Sequence, residues 1–144
     1  MSSHVASRIR RAATDLLAEA EKRAALVDIY SSYGIKLPRD TEKIYVDTLQ
    51  GSLKRLPPPL VRDCGISVMG FTDLGPSKDF YPNHGKYMDG ALVLNTQLLE
   101  DPFQEVDSET GQSFNKFDQI LYHEMGHGWD ERNGGSNELS LDSE

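Results

Sequence analysis

Two histidines four residues apart, with a glutamate directly after the first, are the feature that most constrains this chain. Residues 123–127 read His-Glu-Met-Gly-His. On an α-helix, residues four apart lie on one face about one turn apart, so His123 and His127 can both direct an imidazole at one metal ion. The spacing therefore predicts a helix here, with a polar face that must remain accessible.

Glu124 follows the first histidine directly, which places its carboxylate beside water held by such a metal. This order of residues indicates Zn²⁺ as cofactor, His123 and His127 as its ligands, and Glu124 as general base in hydrolysis. Asp130 lies three residues after His127 on the same face. We predict that Asp130 accepts a hydrogen bond from a ligand histidine rather than binding the metal.

The residues before the motif support a helix. Ser113 or Thr110 is predicted to cap it. Apolar side chains recur at helical spacing and predict its buried face, namely Phe114, Phe117, Leu121 and Met125.

The first third of the chain is predicted to form one long helix, from about Ser3 to Tyr33. Gly34 is expected to end it, and Pro38 prevents it from resuming. Apolar residues at steps of three and four predict a core or helix-packing surface, namely Val5, Ile9, Ala12 or Ala13, Leu16, Ala20, Ala24 and Val27.

A second helix is predicted from Asp40 or Thr41, either of which can cap it, to about Leu56. Prolines 57–59 are expected to stop it and to form a rigid exit turn. Its predicted inner face consists of Ile44, Thr48, Leu49 and Leu53.

Two segments in the middle of the chain read as strands. Residues 66–71 alternate apolar and small residues, and the apolar run Ala91–Asn95 is typical of a strand packed on both faces. Residues 73–90, rich in Gly, Pro, Asp and Asn, predict a long loop with room for a short hairpin. Residues 101–111 read as an acidic turn region. Two helices, two strands and a final helix indicate an α+β domain with a small sheet beside the last helix.

The 144 residues are expected to form one domain, residues 1–144, with a helical part (1–56) and a part holding the sheet and the metal-binding helix (57–144). The single cysteine, Cys64, excludes an internal disulfide and is expected to be buried. No secretory leader or apolar membrane span is evident. We therefore expect no membrane partner, and either a cytoplasmic location or export without a cleaved leader.

The chain has a net charge of −8, and its charged residues are unevenly distributed along the sequence. Residues 1–62 carry eleven Lys/Arg and seven Asp/Glu, whereas residues 63–144 carry four and sixteen. Because the acidic part contains the histidine motif, a polyanion would be repelled there, and nucleic acid is not expected as a partner. We expect a protein or peptide as the substrate.

From about Leu53 to Asp130 the chain resembles the zincin metallopeptidases. The likeness rests on the H-E-x-G-H-x-x-D run, the apolar strand ending in Asn95, the loop 81–85 (Tyr-Pro-Asn-His-Gly) and the Leu-Pro-Pro helix exit at 56–58. Among zincins it is most similar to the anthrax lethal-factor-like catalytic domains, a group that includes the Pro-Pro endopeptidases. The resemblance implies a zincin-like fold, a zinc-dependent endopeptidase activity, and a peptide lying antiparallel to an edge strand at Ala91–Asn95 or its neighbour.

A catalytic zinc site needs three protein ligands and a water. The resemblance implies a glutamate on a following helix as the third. Glu138 follows His127 closely for such a path, and Glu144 is the last residue, so we expect either one of these or a residue of a longer chain. If the ligand is missing, the chain is instead a catalytically incomplete zincin-like metal-binding or interaction module.

Overall fold

A computed structural model of the chain describes residues 3–75, 85–96, 104–106, 109–111 and 113–134. Helices and a small sheet together make an α+β arrangement, which confirms the predicted class at that level. In chain order, the elements are α1 (Ser3–Tyr33), α2 (Lys43–Lys54), α3 (Pro58–Asp63), β1 (Val68–Thr72), β2 (Gly85–Met88), β3 (Ala91–Asn95), β4 (Gln104–Val106), β5 (Ser113–Asn115) and α4 (Lys116–Arg132).

Helix α1 has the predicted bounds, and it ends because Gly34 adopts a φ of +74°, which favours glycine. The predicted packing face is wrong, however. Ile9, Leu16 and Val27 are 58%, 72% and 66% exposed. The side chains that enter the core are instead Ala25, Ile29 and Tyr33. The reason is that α2 and α3 pack against α1 on the opposite side from the apolar stripe.

Helix α2 begins two residues later than predicted. Glu42 is its N-cap and makes no side-chain capping bond, while the Thr41 hydroxyl donates to the carbonyl of Pro38 at 2.7 Å. Neither Asp40 nor Thr41 therefore caps the helix as predicted. Its inner face is only partly as predicted, since Leu49 and Leu53 are buried but Ile44 is 59% exposed and Thr48 is half-buried. The buried residues are Val46, Leu49, Ser52 and Leu53, which lie toward α1 and the core.

The triple proline does not form the predicted exit turn. Pro57 is the N-cap of α3, and Pro58 occupies its first turn, where the missing N–H costs no hydrogen bond. Helix α3 buries Val61 and ends at Asp63, with Cys64 as its C-cap. The prolines thus start a helix as well as ending one.

Strand β3 is the centre of a three-stranded sheet with the order β1-β3-β2. Strand β1 pairs with it in parallel, from Val68 opposite Ala91, and β2 pairs with it antiparallel. The turn between β2 and β3 has positive φ at Asp89 (48°) and Gly90 (85°), as a type I′ hairpin turn requires. The two predicted strands are therefore confirmed, with β1 starting two residues later than predicted. Strand β2 was not predicted, since it lies in the segment 73–90 that was expected to be a long loop, and its hairpin partner β3 lies outside that segment.

Helix α4 lies beside this sheet and contacts β2 and β3. Three of its predicted core residues, Phe117, Leu121 and Met125, are at most 2% exposed. The predicted capping by Ser113 is wrong, because Ser113 belongs to β5, which pairs antiparallel with β4 immediately before the helix. In the described residues, no helix combines the length and apolar composition of a membrane span.

Candidate metal centre

The two histidines of the motif lie together on the exposed face of α4. His123 and His127 are both exposed, and their ring centroids are 5.0 Å apart with the ring planes at 84°. The apolar residues of α4 occupy a different face, buried against the sheet. Helical spacing thus separates the surface that could hold a metal from the surface that packs.

Glu124 completes a compact group of possible metal ligands. One ligand atom from each of His123, Glu124 and His127 lies within 4.8 Å of the others. Unlike the histidines, Glu124 is only 8% exposed. A carboxylate placed between the protein interior and two exposed imidazoles can act on water held between those imidazoles.

Strand β2 covers the carboxylate side of this group. An added Cβ at Gly85, the first residue of β2, would lie 3.4 Å from Cγ of Glu124 and 2.7 Å from the carbonyl oxygen of Val93. The Val93 carbonyl therefore leaves no room for a side chain at Gly85, and Glu124 lies in contact distance of the strand at this glycine. Among the described residues, β2 pairs only with β3, so its other edge is open beside the site.

Asp130 is buried one turn beyond His127. It is 9% exposed, and its Oδ1 atom has no hydrogen-bond partner among the described residues. A buried carboxylate oxygen without a donor is costly, and such an atom is available to accept a proton-bearing nitrogen. The predicted hydrogen bond from a ligand histidine to Asp130 stays a prediction for the metal-bound site.

Gly128 allows α4 to approach its neighbours closely, and the sequence did not single it out. A Cβ at this position would lie 2.3 Å from the carbonyl oxygen of Cys64 and 3.1 Å from the ring of Tyr87. The Tyr87 hydroxyl donates to Glu131 at 3.2 Å. Burial first, and then the charge of Glu131, raise the pKa of Tyr87. The glycine thus fixes the end of α4 against β2 and the loop after α3.

A polar network holds the beginning of α4 against α2. The Arg55 guanidinium donates to both carboxylate oxygens of Asp118, at 2.7 and 2.9 Å, and the Ser52 hydroxyl donates to the same carboxylate. Burial alone would raise the pKa of Asp118, but these hydrogen bonds and the Arg55 charge together lower it. The Tyr122 hydroxyl donates to the Ser52 carbonyl at 2.9 Å.

Other groups near the motif have structural roles or lie outside the described residues. The hydroxyls of Tyr87 and Tyr122 are both engaged in the hydrogen bonds above. Cys64 is buried as predicted, and burial raises the pKa of its thiol to about 11, so it stays protonated at neutral pH. The predicted third ligands Glu138 and Glu144, and the whole loop 81–84, are not among the described residues.

Comparisons with known proteins give no match: no protein-family model, curated protein or solved structure is significantly similar to the chain. The chemistry of the site must therefore be argued from its own residues. Two imidazoles and a carboxylate are donors that Zn²⁺ binds readily, and the described residues hold them within the span of one coordination sphere. The group could hold a metal ion, with the two imidazoles as nitrogen donors.

Proposed function

We propose that this chain is a zinc-dependent metalloendopeptidase in which His123 and His127 bind Zn²⁺ and Glu124 is the general base. The observation that carries the proposal is the gathering of these three side chains within 4.8 Å on one helix. Their order along the helix matches the H-E-x-x-H pattern of zinc hydrolases. We also infer that the small sheet and α4 form a zincin-like arrangement, as the sequence resemblance implies.

The different surroundings of the three side chains support their different roles. A metal ligand that meets substrate must be accessible, and both histidines are exposed. A general base must be held in a fixed position beside the reacting water. Glu124 is buried, and Cγ of its side chain lies beside Gly85 of β2, which limits the positions that its carboxylate can take.

The open edge of β2 supports a peptide as the substrate. An extended peptide can add to an exposed strand edge through main-chain hydrogen bonds, which recognise the backbone and tolerate many side chains. Because Gly85 is the β2 residue next to Glu124, a peptide paired along β2 would present a backbone carbonyl near the histidine group. The proposed substrate is therefore an extended segment of protein or peptide.

A bound zinc ion supplies Lewis-acid chemistry, lowering the pKa of water and polarising a carbonyl. The remaining steps belong to the chain's own residues. The Glu124 carboxylate accepts a proton from the attacking water, and the new C–O bond forms at the scissile carbonyl carbon. Glu124 then delivers that proton to the departing amide nitrogen as the C–N bond breaks. Asp130 orients the imidazole of a ligand histidine by accepting a hydrogen bond from its second ring N–H.

A second candidate function follows from the small number of ligands. In the described part of the chain, the donor group contains only two histidines besides Glu124. If Glu124 itself fills the third coordination position, no base remains, and the chain is a zincin-like module that binds metal without hydrolysing peptides. The two candidate functions assign different roles to the Glu124 carboxylate, which is the general base in the first and a metal ligand in the second.

Replacing Glu124 by glutamine separates the two functions. If Glu124 is the base, Glu124→Gln retains stoichiometric zinc after dialysis but loses cleavage of a fluorogenic peptide library by at least about 1,000-fold. The measurements are metal analysis by mass spectrometry and initial rates. Glu42→Gln, an exposed carboxylate on another helix, is the matched control and should change neither quantity.

Two outcomes would count against the proposal. Loss of zinc in Glu124→Gln, with the fold retained by circular dichroism, would make Glu124 a ligand and favour the metal-binding module. Undiminished cleavage in that variant would remove Glu124 from the mechanism altogether. His127→Ala should lose zinc under either assignment, so zinc retained by that variant would show that the metal lies elsewhere.

A further inference from the structure

Helix α1 carries two apolar faces, and only one of them is packed. At 100° per residue, the buried Ala25 and Ile29 lie about 160° and 200° around the helix from Ile9. Leu16 and Val27 lie within about 20° of Ile9, and all three side chains are more than half exposed. The face turned away from the core is thus an apolar stripe along the helix.

The first two thirds of α1 are supported by little tertiary packing. The helix has 31 residues, a length of about 46 Å, yet residues 4–24 include no buried side chain. Most helices in proteins owe their stability to the packing of an apolar face, and an unpacked helical stretch of this length is marginal in water. A partner along the stripe would supply the missing burial.

The spacing of the stripe reads the same in both directions. Ile9, Ala13, Leu16 and Ala20 follow at intervals of four, three and four residues. An antiparallel second copy therefore places Ile9 opposite Ala20 and Ala13 opposite Leu16, so that each large side chain meets a small one. Such complementary layers let two helices approach closely. A two-fold axis relates the two copies, so the assembly is a closed dimer.

Charges beside the stripe have the same symmetry. Arg8 and Glu19 lie on one flank of the stripe, while Arg10 and Glu21 lie on the other, and each pair is separated by eleven residues. In an antiparallel pair each flank faces its own copy, so each arginine meets a glutamate within about 3 Å of the same level. A parallel pair would instead oppose arginine to arginine and glutamate to glutamate.

The ion pairs within one copy leave the arginines and glutamates beside the stripe available to pair with a second copy. Glu19 is 3.8 Å from both Lys22 and Arg23, and the exposed Glu21 is 3.5 Å from Lys43. Exposed pairs at such distances contribute little to stability and exchange readily. Within the described residues, no carboxylate lies within 4.0 Å of Arg8 or Arg10.

We propose that α1 pairs with α1 of a second copy of this chain to form an antiparallel homodimer. The two-fold axis passes between Ala13 and Leu16. In this register the first turn of the partner helix, residues 3–6, lies opposite residues 23–26. A groove of about 590 Å³, lined in part by Leu26, Val27 and Tyr30, continues the stripe beyond that point. The metal-binding helices stay outside the interface.

A charge placed on the stripe tests the interface. The full chain should sediment as a dimer at about 100 µM, and Leu16→Glu should raise the dissociation constant by roughly 100-fold or more, because two carboxylates would be buried per dimer. Thr14→Glu adds the same charge to an exposed position on the other side of the helix and should leave the dimer intact. Sedimentation equilibrium measures both, and circular dichroism confirms that each variant folds.

Exchange of the flanking charges tests whether these groups meet across the interface. A chain with Arg8→Glu and Arg10→Glu should be monomeric alone, as should a chain with Glu19→Arg and Glu21→Arg, since each carries like charges on both partners. Mixed in equal amounts, the two chains should form a heterodimer.

Three results would overturn the proposal. The wild-type chain could be monomeric throughout, Leu16→Glu and Thr14→Glu could act alike, or the charge-exchanged chains could fail to pair. A monomeric chain that binds vesicles of anionic phospholipid through Leu16 would assign the stripe to a membrane surface instead of a second copy.

Discussion

Gly126 and Gly128 belong to the same turn of α4 but meet different surroundings. Apart from its neighbours in the helix, no atom of the described residues lies within 4 Å of a Cβ added at Gly126, which is exposed. At Gly128 the added Cβ would overlap the backbone carbonyl of Cys64, an atom that a side-chain rotation cannot move. The two glycines lie in the same helix but would respond differently to a side chain. Helix propensity decides the effect at Gly126, whereas packing decides it at Gly128.

We expect Gly128→Ala to destabilise the fold by about 2–3 kcal/mol, because the helix must shift away from the loop after α3. Gly126→Ala should stabilise it by about 0.5–1 kcal/mol, as alanine favours a helix interior. Urea unfolding followed by circular dichroism measures both. Equal effects of the two substitutions would show that α4 does not approach the Cys64 carbonyl as described.

The contrast between these residues shows what a sequence can reveal at this scale. The grouping of His123, Glu124 and His127 is local, because helical geometry alone brings residues four apart together. The importance of Gly128 depends on a carbonyl 64 residues earlier in the chain, and nothing in the spacing of the motif indicates that contact. Asp130 was predicted to be near the site, but its burial follows from tertiary packing.

Between elements, one carboxylate supports the contact of α2 with α4, beside the hydrogen bond from Tyr122 to the Ser52 carbonyl. Asp118 accepts hydrogen bonds from Arg55 and Ser52, and its pKa is lowered in the folded chain. A lowered pKa means that the folded chain holds this proton less tightly than the unfolded chain. The resulting stabilisation is present above the ordinary pKa of aspartate and is lost as the pH falls through the lowered value.

We therefore expect part of the acid sensitivity of this fold to come from Asp118. Asp118→Asn should lower the free energy of unfolding at pH 7, and it should flatten the loss of stability below about pH 4. The control is Asp47→Asn, which removes an exposed carboxylate of α2. Parallel pH profiles for the wild type and Asp118→Asn would contradict this role.

The elements themselves were predicted unequally. Helix α1 ends as expected because Gly34 and Pro38 act locally, and the strand Ala91–Asn95 follows from its apolar run. Helix α3 was not predicted, because the same residue type, proline, both ends α2 and begins α3. The face of α1 that packs was also predicted wrongly. The apolar stripe of α1 is a clearer pattern in the sequence than the short buried face at Ala25 and Ile29. The positions of α2 and α3 decide which of the two faces packs in the core.

At the scale of the whole molecule, metal binding and folding should be coupled. The helix that presents the two histidines also buries Phe117, Leu121 and Met125 in the core, so unfolding scatters the ligands and the core together. A metal that binds only the folded state stabilises it by mass action.

Zinc at about 100 times its dissociation constant should therefore add about 2.7 kcal/mol to the free energy of unfolding. Differential scanning calorimetry would record this as a rise in the melting temperature that a chelator reverses. His127→Ala should melt at the same temperature with and without zinc. A shift that survives this substitution would mean that zinc stabilises the fold through other residues.

The edge of β2 that is unpaired among the described residues has a consequence beyond the proposed reaction. Unpaired strand edges invite pairing with any extended chain, including misfolded copies, and proteins limit this hazard with short edge strands and exposed lysines. Strand β2 has four residues, and the side chain of Lys86 is exposed at its second position. Any chain that docks there gains only a few main-chain bonds, so indiscriminate aggregation is discouraged. For the same reason, a substrate would need anchoring by side chains away from the strand, and selectivity would depend on surfaces outside it.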